Sequence, residues 1–402
     1  MAAVHDDAVG IAPELRDLRR AIHREPEIGN DLPRTQEKVL AALDGLPFER
    51  VTLGQQLSSV TAVLRGGRPG PTVLLRGDMD ALPVTELTGV PYASKIDGAM
   101  HACGHDLHTA MLVGAARLLS ARQAELPGSV VFMFQPGEEG FAGARMMIEE
   151  GVLEASGERA VAAYGLHVSS SELPGGLFAG RPGAQLAAAD QLEVTVRGRG
   201  GHASRPSLAA DPIPVACEIV TALQTLVTRR FDVFDPVVIT VGSFHAGTAD
   251  NIIPASAELK ATIRTFSAAA RATVRDASVQ LIRKIAEGHG LTADAEFVEG
   301  YPVTMNDPAE LEFTGRTVAE ALGAGRFVLA PNPVTGAEDF SFVLEQVPGA
   351  FLMLGACPPD TDAETAPSNH SAYAVFDDAV LPDGATMLSE FALQRLAAAS
   401  SE

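Results

Sequence analysis

Residues 101–109, His-Ala-Cys-Gly-His-Asp-Leu-His-Thr, hold three of the chain's ten histidines and one of its three cysteines. Thiolate and imidazole are preferred ligands of zinc-like cations, and packing alone does not explain such a density. Cys103 and His105 are two apart, so in an extended or loop segment both side chains can point to one side. Glu138 and Glu139 follow a stretch that reads as a buried strand. Adjacent carboxylates there repel each other unless a cation or a proton sits between them. In a metal site, one carboxylate would bind the ion and the other would take a proton from the attacking water; otherwise the pair is a solvated acidic turn.

His167 ends another predicted strand, and His370 lies in the polar loop Ser-Asn-His-Ser. Alone, each would more often be a hydrogen-bonded core or rim histidine than a ligand. With Cys103, His105 and one glutamate they make five ligand-type residues from four segments. A two-metal centre, with ions roughly 3.5–4 Å apart, uses about that many. Asp78 and Asp80 follow a predicted strand, where they serve either turn chemistry or the orientation of a ligand histidine. His101 and His108 are weaker candidates, and His108 is expected to cap the helix or face solvent. Asp106 could orient a ligand, but helix N-capping explains it equally well.

The glycine-rich stretch 198–206 carries His202. No helix with Lys-Ser/Thr follows, so it is not a phosphate cradle. A histidine held in a glycine turn suits contact with a ligand or a developing oxyanion. Asn251 and Arg264 lie in the same region. Arg264 is either a surface arginine or a bidentate clamp for a substrate carboxylate.

These residues need a scaffold. With 402 residues, 46% hydrophobic and 20% charged, the chain can bury a large core and divides more naturally into two domains than one. No apolar run reaches the ~20 residues of a membrane helix. The first residues lack the basic and apolar regions of a signal peptide, so a cytoplasmic location is expected. Three widely spaced cysteines make no disulfide framework, and Cys217 and Cys357 are expected as ordinary buried thiols. The formal net charge of −21 argues against nucleic acid or an anionic membrane as partner. An anionic substrate would need a local basic group.

Apolar periodicity predicts a helix over 13–27, with Leu15, Leu18, Ala21 and Ile22 on its buried stripe and Arg16, Arg19 and Arg20 facing out. Further helices are expected over 33–43, 106–121 and 141–150, and strands over 59–64, 72–75, 129–134 and 160–166. Three consecutive strands deliver acidic or imidazole side chains at their C-terminal ends, where α/β enzymes place their sites. The fold class is therefore α/β, a central mostly parallel sheet flanked by helices. From 192 to 297 the pattern changes to β-α-β-β-α-β, the ferredoxin-like arrangement. The expected boundaries are 1–183 and 300–402 for the catalytic domain and 184–299 for an inserted domain.

Seven stretches occur in order: Arg-Gly-Asp-Met-Asp-Ala-Leu-Pro (76–83), His-Ala-Cys-Gly-His-Asp (101–106), Gln-Pro-Gly-Glu-Glu-Gly (135–140), Gly-Leu-His-Val (165–168), Gly-Gly-His-Ala-Ser-Arg-Pro (200–206), Asp-Asn-Ile-Ile-Pro (250–254) and Gly-Ala-Glu-Asp-Phe-Ser (336–341). Together they resemble the metal-dependent aminoacylase/carboxypeptidase family of amidohydrolases, in particular its hippurate hydrolase and indoleacetyl-amino-acid hydrolase branch. Cys103 and His167 mark that branch.

The resemblance implies Cys103, His105, Glu139, His167 and His370 as metal ligands, Glu138 as general base and Asp80 as the carboxylate beside the site. It implies that His202 reaches a partner subunit's active site, and that Asn251 and Arg264 contact the substrate carboxylate. It implies two divalent metal ions, zinc or manganese, with cobalt or nickel as options. The inserted domain would be a lid and dimerisation domain, in a homodimer or higher homo-oligomer. The implied substrate is an N-acyl amino acid, with a dipeptidase or carboxypeptidase as the alternative. Two other readings stay open. A thiol enzyme would use Cys103 as nucleophile and His105 as base, leaving two histidines and Glu-Glu unexplained. A metal-binding protein without turnover would not need Glu138.

Overall fold

The computed structural model of the protein describes residues 2–399. Two compact units divide the chain. The first contains the residues up to Gln185, then Met305–Asn332 and everything from Asp339; the second contains Leu186–Thr304 and Pro333–Glu338.

The first unit begins with helices α1 (Ala2–Gly10), α2 (Ala12–His23) and α3 (Pro33–Leu43), followed by strands β1 (Arg50–Leu53), β2 (Val60–Arg65) and β3 (Arg68–Asp78). Then come α4 (His105–Ser120), β4 (Pro127–Gln135), α5 (Gly143–Glu149), β5 (Ala162–Pro174), β6 (Phe178–Gly180) and β7 (Gly183–Leu186). The second unit carries β8 (Ala188–Arg197), β9 (Gly201–His202), α6 (Pro212–Arg230), β10 (Val237–Ala246), β11 (Ile252–Ile253), β12 (Ser256–Thr265), α7 (Ala268–Gly288) and β13 (Thr292–Tyr301). After β14 (Thr304–Asn306), the first unit resumes with α8 (Pro308–Leu322), β15 (Phe327–Leu329), α9 (Ser341–Leu344), β16 (Gly349–Cys357) and α10 (Leu381–Ala399).

The first unit is built on an eight-stranded sheet in the order β1-β2-β4-β3-β5-β16-β6-β15. Its centre, β4-β3-β5-β16, is parallel, and β4 is buried along its whole length. This is the Val- and Phe-rich signature of a sheet covered on both faces. The pair β6–β15 is parallel too, and the sheet as a whole is mixed. β1, β2 and β4 pair antiparallel, as do β16 and β6. The cause is connection length. β1 joins β2, and β5 joins β6, through only a few residues, too few for a parallel crossover. Helices α4 and α10 pack against β3 and against each other.

In the second unit the sheet order is β10-β12-β8-β13 and every neighbouring pair is antiparallel. Burial alternates along β8 and β12, so one face carries the core with α6 and α7. Asp211 caps α6 through the Ile213 amide at 3.0 Å, and Ser267 caps α7 through the Ala270 amide at 2.9 Å.

Two surface expectations are overturned. Arg19 is only 1% exposed; it lies between Leu15 and Ile22 on the inward stripe of α2 and meets carboxylates there. Cys217 is exposed on α6, whereas Cys357 is buried, and all three cysteines are free. No helix among the described residues is long and apolar enough to cross a membrane.

Candidate metal and catalytic site

Gly104 decides how Cys103 and His105 are presented. It is the N-cap of α4 and adopts φ +83°, the left-handed region that glycine enters without steric cost. A Cβ there would lie 2.3 Å from Val168 Cγ2. The sharp turn puts Cys103 just before the helix and His105 in its first turn. Asp106 is fully buried in that turn but does not cap it. Its carboxylate lies 2.7 Å from Arg19 Nε and 2.8 Å from His23 Nδ1. Salt-bridged burial, rather than capping or ligand orientation, is thus its structural part.

The expected ligands come together in overlapping groups, each with candidate ligand atoms within 4.8 Å of one another: Cys103–His105–His167, Cys103–Glu139–His370 and His105–Glu138–Glu139. Cys103 is shared by the first two groups. Its Sγ lies 3.3 Å from His167 Nε2, and His167 Nδ1 donates to the Val168 carbonyl at 2.8 Å. That second bond leaves Nε2 as the inward nitrogen. His167 lies inside β5 rather than at its end, since the strand runs on to Pro174. His370 is one of few non-glycine residues in the left-handed region, at φ +70°. Its amide donates to the Ala102 carbonyl at 2.8 Å, and its Nε2 lies 3.3 Å from Glu139 Oε1. Backbone held in that region tends to cluster at functional sites.

Asp80 supports the acidic turn. Its two carboxylate oxygens accept from the Glu138 amide at 3.0 Å and the Glu139 amide at 2.9 Å, and its Oδ1 lies 3.4 Å from His105 Nδ1 without hydrogen-bond alignment. Gly137, at φ +71°, lets this turn pass Asn30, whose Oδ1 would lie 1.8 Å from a Cβ.

Beneath the site lies a buried polar layer. Arg76 donates to Gln135 at 2.8 Å, Asp78 at 2.6 Å and Asp339 at 3.2 Å. Asp339 in turn accepts from Gln135 and from the Ala144 amide. Asp78 accepts from His108 Nδ1 at 2.5 Å, and His108 Nε2 accepts from the Val168 amide at 2.8 Å. His108 is therefore neither a cap nor a solvent-facing side chain. It is 2% exposed, because nearly every position of α4 is buried. His101 is buried as well, and both of its ring nitrogens lack a hydrogen-bond partner.

Opposing charges hold the site together electrostatically. Burial pushes the Cys103 thiol up, but the His167 and His105 imidazoles hold it well below the usual thiol range. Burial likewise pushes His105 down, yet Asp78 and Cys103 lift it well above its ordinary value. Bonding to Cys103 and Glu139 pushes His370 up to about 10. Burial raises Glu139. His105 Nδ1 and Nε2 and Glu139 Oε1 are buried with no aligned hydrogen-bond partner. Unsatisfied buried polar atoms cost about 1–3 kcal/mol each. A converging set of one thiolate, three imidazoles and carboxylates with such unsatisfied atoms fits a divalent cation.

His202, Asn251 and Arg264 lie in the second unit. His202 ends β9 and pairs with Ile252 of β11, and the Ala203 amide donates to the Asn251 carbonyl at 3.1 Å, so the two loops are joined. Arg264 lies on β12 opposite Val238 and Ala189, and its burial lowers its pKa.

Residues 74–394 match peptidase family M20/M25/M40. The chain is similar to thermostable carboxypeptidase 2 of Saccharolobus solfataricus, with 39% identity over 94% of this chain and 95% of that one. It is similar to the N-acetylcysteine deacetylase of Bacillus subtilis, with 38% identity over 85% and 88%. It is also similar to IAA-amino acid hydrolase ILR1-like 4 of Arabidopsis thaliana, with 36% identity over 94% and 85%. Among solved structures, a dinuclear metal-binding M20 peptidase from Bacillus subtilis superposes with a TM-score of 0.83, at 33% identity over 96% of this chain and 99% of that one. With this family match over most of its length, carried by a fold of the same kind, the chain belongs to peptidase family M20/M25/M40.

Proposed function

We propose that this protein is a metal-dependent amidohydrolase that cleaves the amide bond of N-acyl amino acids into a carboxylic acid and a free amino acid. The observation that carries this reading is the pair of ligand groups sharing Cys103, with Glu138 adjoining them. Cys103, His105 and His167 would hold one divalent ion, and Cys103, Glu139 and His370 a second. Thiolate and imidazole suit zinc, and the carboxylate also admits manganese, cobalt or nickel. Such ions supply Lewis acidity, which lowers the pKa of water and polarises a carbonyl.

Glu138 takes the proton of the attacking water and returns it to the leaving amine. Asp80 fixes the backbone on which Glu138 and Glu139 stand. In the second unit, His202 would stabilise the developing oxyanion, and Asn251 and Arg264 would hold the substrate carboxylate, offsetting the chain's negative charge. That unit, residues 184–299 of the expected division, would act as lid and dimerisation domain, with His202 serving a partner subunit in a homodimer or higher oligomer. Three free cysteines, one of them the proposed ligand thiolate, suit the reducing cytoplasm.

Similarity to the deacetylase and the IAA-amino acid hydrolase supports the acyl substrate. Similarity to the carboxypeptidase favours a second reading, peptide cleavage at the same site. The deciding experiment reloads chelated protein with each metal and compares N-acyl amino acids with dipeptides. Acyl substrates should be cleaved with higher kcat/KM, and only after reloading. Preference for dipeptides selects the second reading, and full activity under exhaustive chelation refutes both.

A further inference from the structure

We propose that Asn369 is a positioning residue for the Cys103 thiolate. Its amide NH2 donates to the sulfur and sets both the direction of Sγ and the electron density it offers a bound cation. The inference rests on the reading of Cys103 as a metal ligand.

Asn369 lies outside the seven motifs of the sequence, yet it ties three ligand-bearing segments together. Its Oδ1 accepts from the Ser170 amide at 2.9 Å. Its Nδ2 donates to the Val168 carbonyl at 3.0 Å and to the Cys103 carbonyl at 3.3 Å, and lies 3.8 Å from Cys103 Sγ. A backbone amide can only donate and a carbonyl can only accept. The orientation of the side-chain amide is therefore fixed by its surroundings: the NH2 group, not the oxygen, faces the sulfur. Two hydrogens serve three acceptors, so the contact with sulfur shares a hydrogen with a carbonyl and is long, as N–H···S bonds are.

The chain position adds a second constraint. Asn369 directly precedes His370, bonds the backbone of the Cys103 turn, and bonds β5 on either side of Ser169, next to His167. One amide thus sets the spacing among Cys103, His167 and His370. A hydrogen bond to a thiolate stabilises its lone pairs and makes it a weaker donor to a metal. Partners that orient a ligand in this way typically change metal affinity 10–100-fold, as an order of magnitude, when removed.

Asn369→Asp is nearly isosteric. It keeps an oxygen for the Ser170 amide but puts oxygen in place of NH2 against two carbonyls and the sulfur. Asn369→Ala removes the donor without adding charge, and covers the case in which the aspartate variant does not fold. The probe is cobalt(II) loaded into the parent, both variants and Cys103→Ser. The readouts are the thiolate-to-cobalt charge-transfer band and the affinity measured by chelator competition. The parent should show a band that Cys103→Ser abolishes. In either Asn369 variant the band should persist but move to lower energy, with cobalt affinity changed about 10–100-fold. A band unmoved in energy in a folded variant, with parental affinity, overturns the role of Asn369. A parent that binds cobalt without any band sensitive to Cys103→Ser overturns instead the reading of Cys103 as a ligand.

Discussion

Replacing Gly104 by alanine isolates the backbone turn that presents Cys103 and His105. Two costs are expected. At φ +83° an L-residue pays about 1–2 kcal/mol for the left-handed conformation. The new methyl would also start 2.3 Å from Val168 Cγ2 and 3.1 Å from Phe376 Cε1, and overpacking of this kind costs about 1–3 kcal/mol. Together the loss is about 2–5 kcal/mol, a large part of the roughly 5–15 kcal/mol that stabilises a typical domain. Urea denaturation of chelated protein would measure it. The clash with Val168 separates from the rest in a Val168→Ala background, where Cγ2 is gone: there Gly104→Ala should cost the backbone part, about 1–2 kcal/mol, and the milder contact with Phe376, less than in the parent background. A loss below about 0.5 kcal/mol in the parent background would refute the reasoning. Equal losses in both backgrounds would show that the clash with Val168 is not the cause.

Two further outcomes follow from buried charge. Arg19→Met leaves Asp106 buried with only His23 beside it, and loss of one partner of such a pair should cost about 3–5 kcal/mol in denaturant unfolding; a neutral result would mean that Asp106 is not held by Arg19. Burial pushes the Glu86 carboxyl up, but His23 and the Ser94 amide hold it down at about 2. Burial pushes His23 down, but Asp106 and Glu86 hold it up. The carboxylate's share of stability is complete above its unfolded value of about 4.3 and is lost as pH falls towards 2. The imidazole's share is complete below about 6.5 and is lost as pH rises through its raised value. Glu86→Gln should therefore lower the Tm most between about pH 5 and 6, and less towards either extreme; a pH-independent difference in Tm would contradict the ion pair.

The site was legible in the sequence where residue type alone restricts chemistry. Cys103, His105, Glu139, His167 and His370 stand out because few structural roles need thiolate, imidazole and paired carboxylate so close together, and the fold gathers them into two groups that share Cys103, each with candidate ligand atoms within 4.8 Å of one another. His108 was not legible. Its helix is buried nearly all round, so helical phase does not separate an inward face from an outward one. Arg19 was misread on charge, although its spacing of four from Leu15 and three from Ile22 puts it on the inward stripe. Asp78, Arg76 and Asp339 form their layer across 263 residues of sequence, and no local pattern reports that pairing. The antiparallel pairings were not legible: β1 and β6 are only three or four residues long, too short to carry a period, and no local pattern in β2 reports that β4 is its neighbour.

The central claim is that Glu138 turns a metal-binding cluster into a hydrolase, and Glu138→Gln tests it most directly. Metal content and kcat on an N-acyl amino acid would be measured on the same preparation. The account predicts the parent's metal content, with kcat lower by about 10²–10⁴-fold, the usual contribution of a general acid–base group. Parental kcat at full metal content would contradict it.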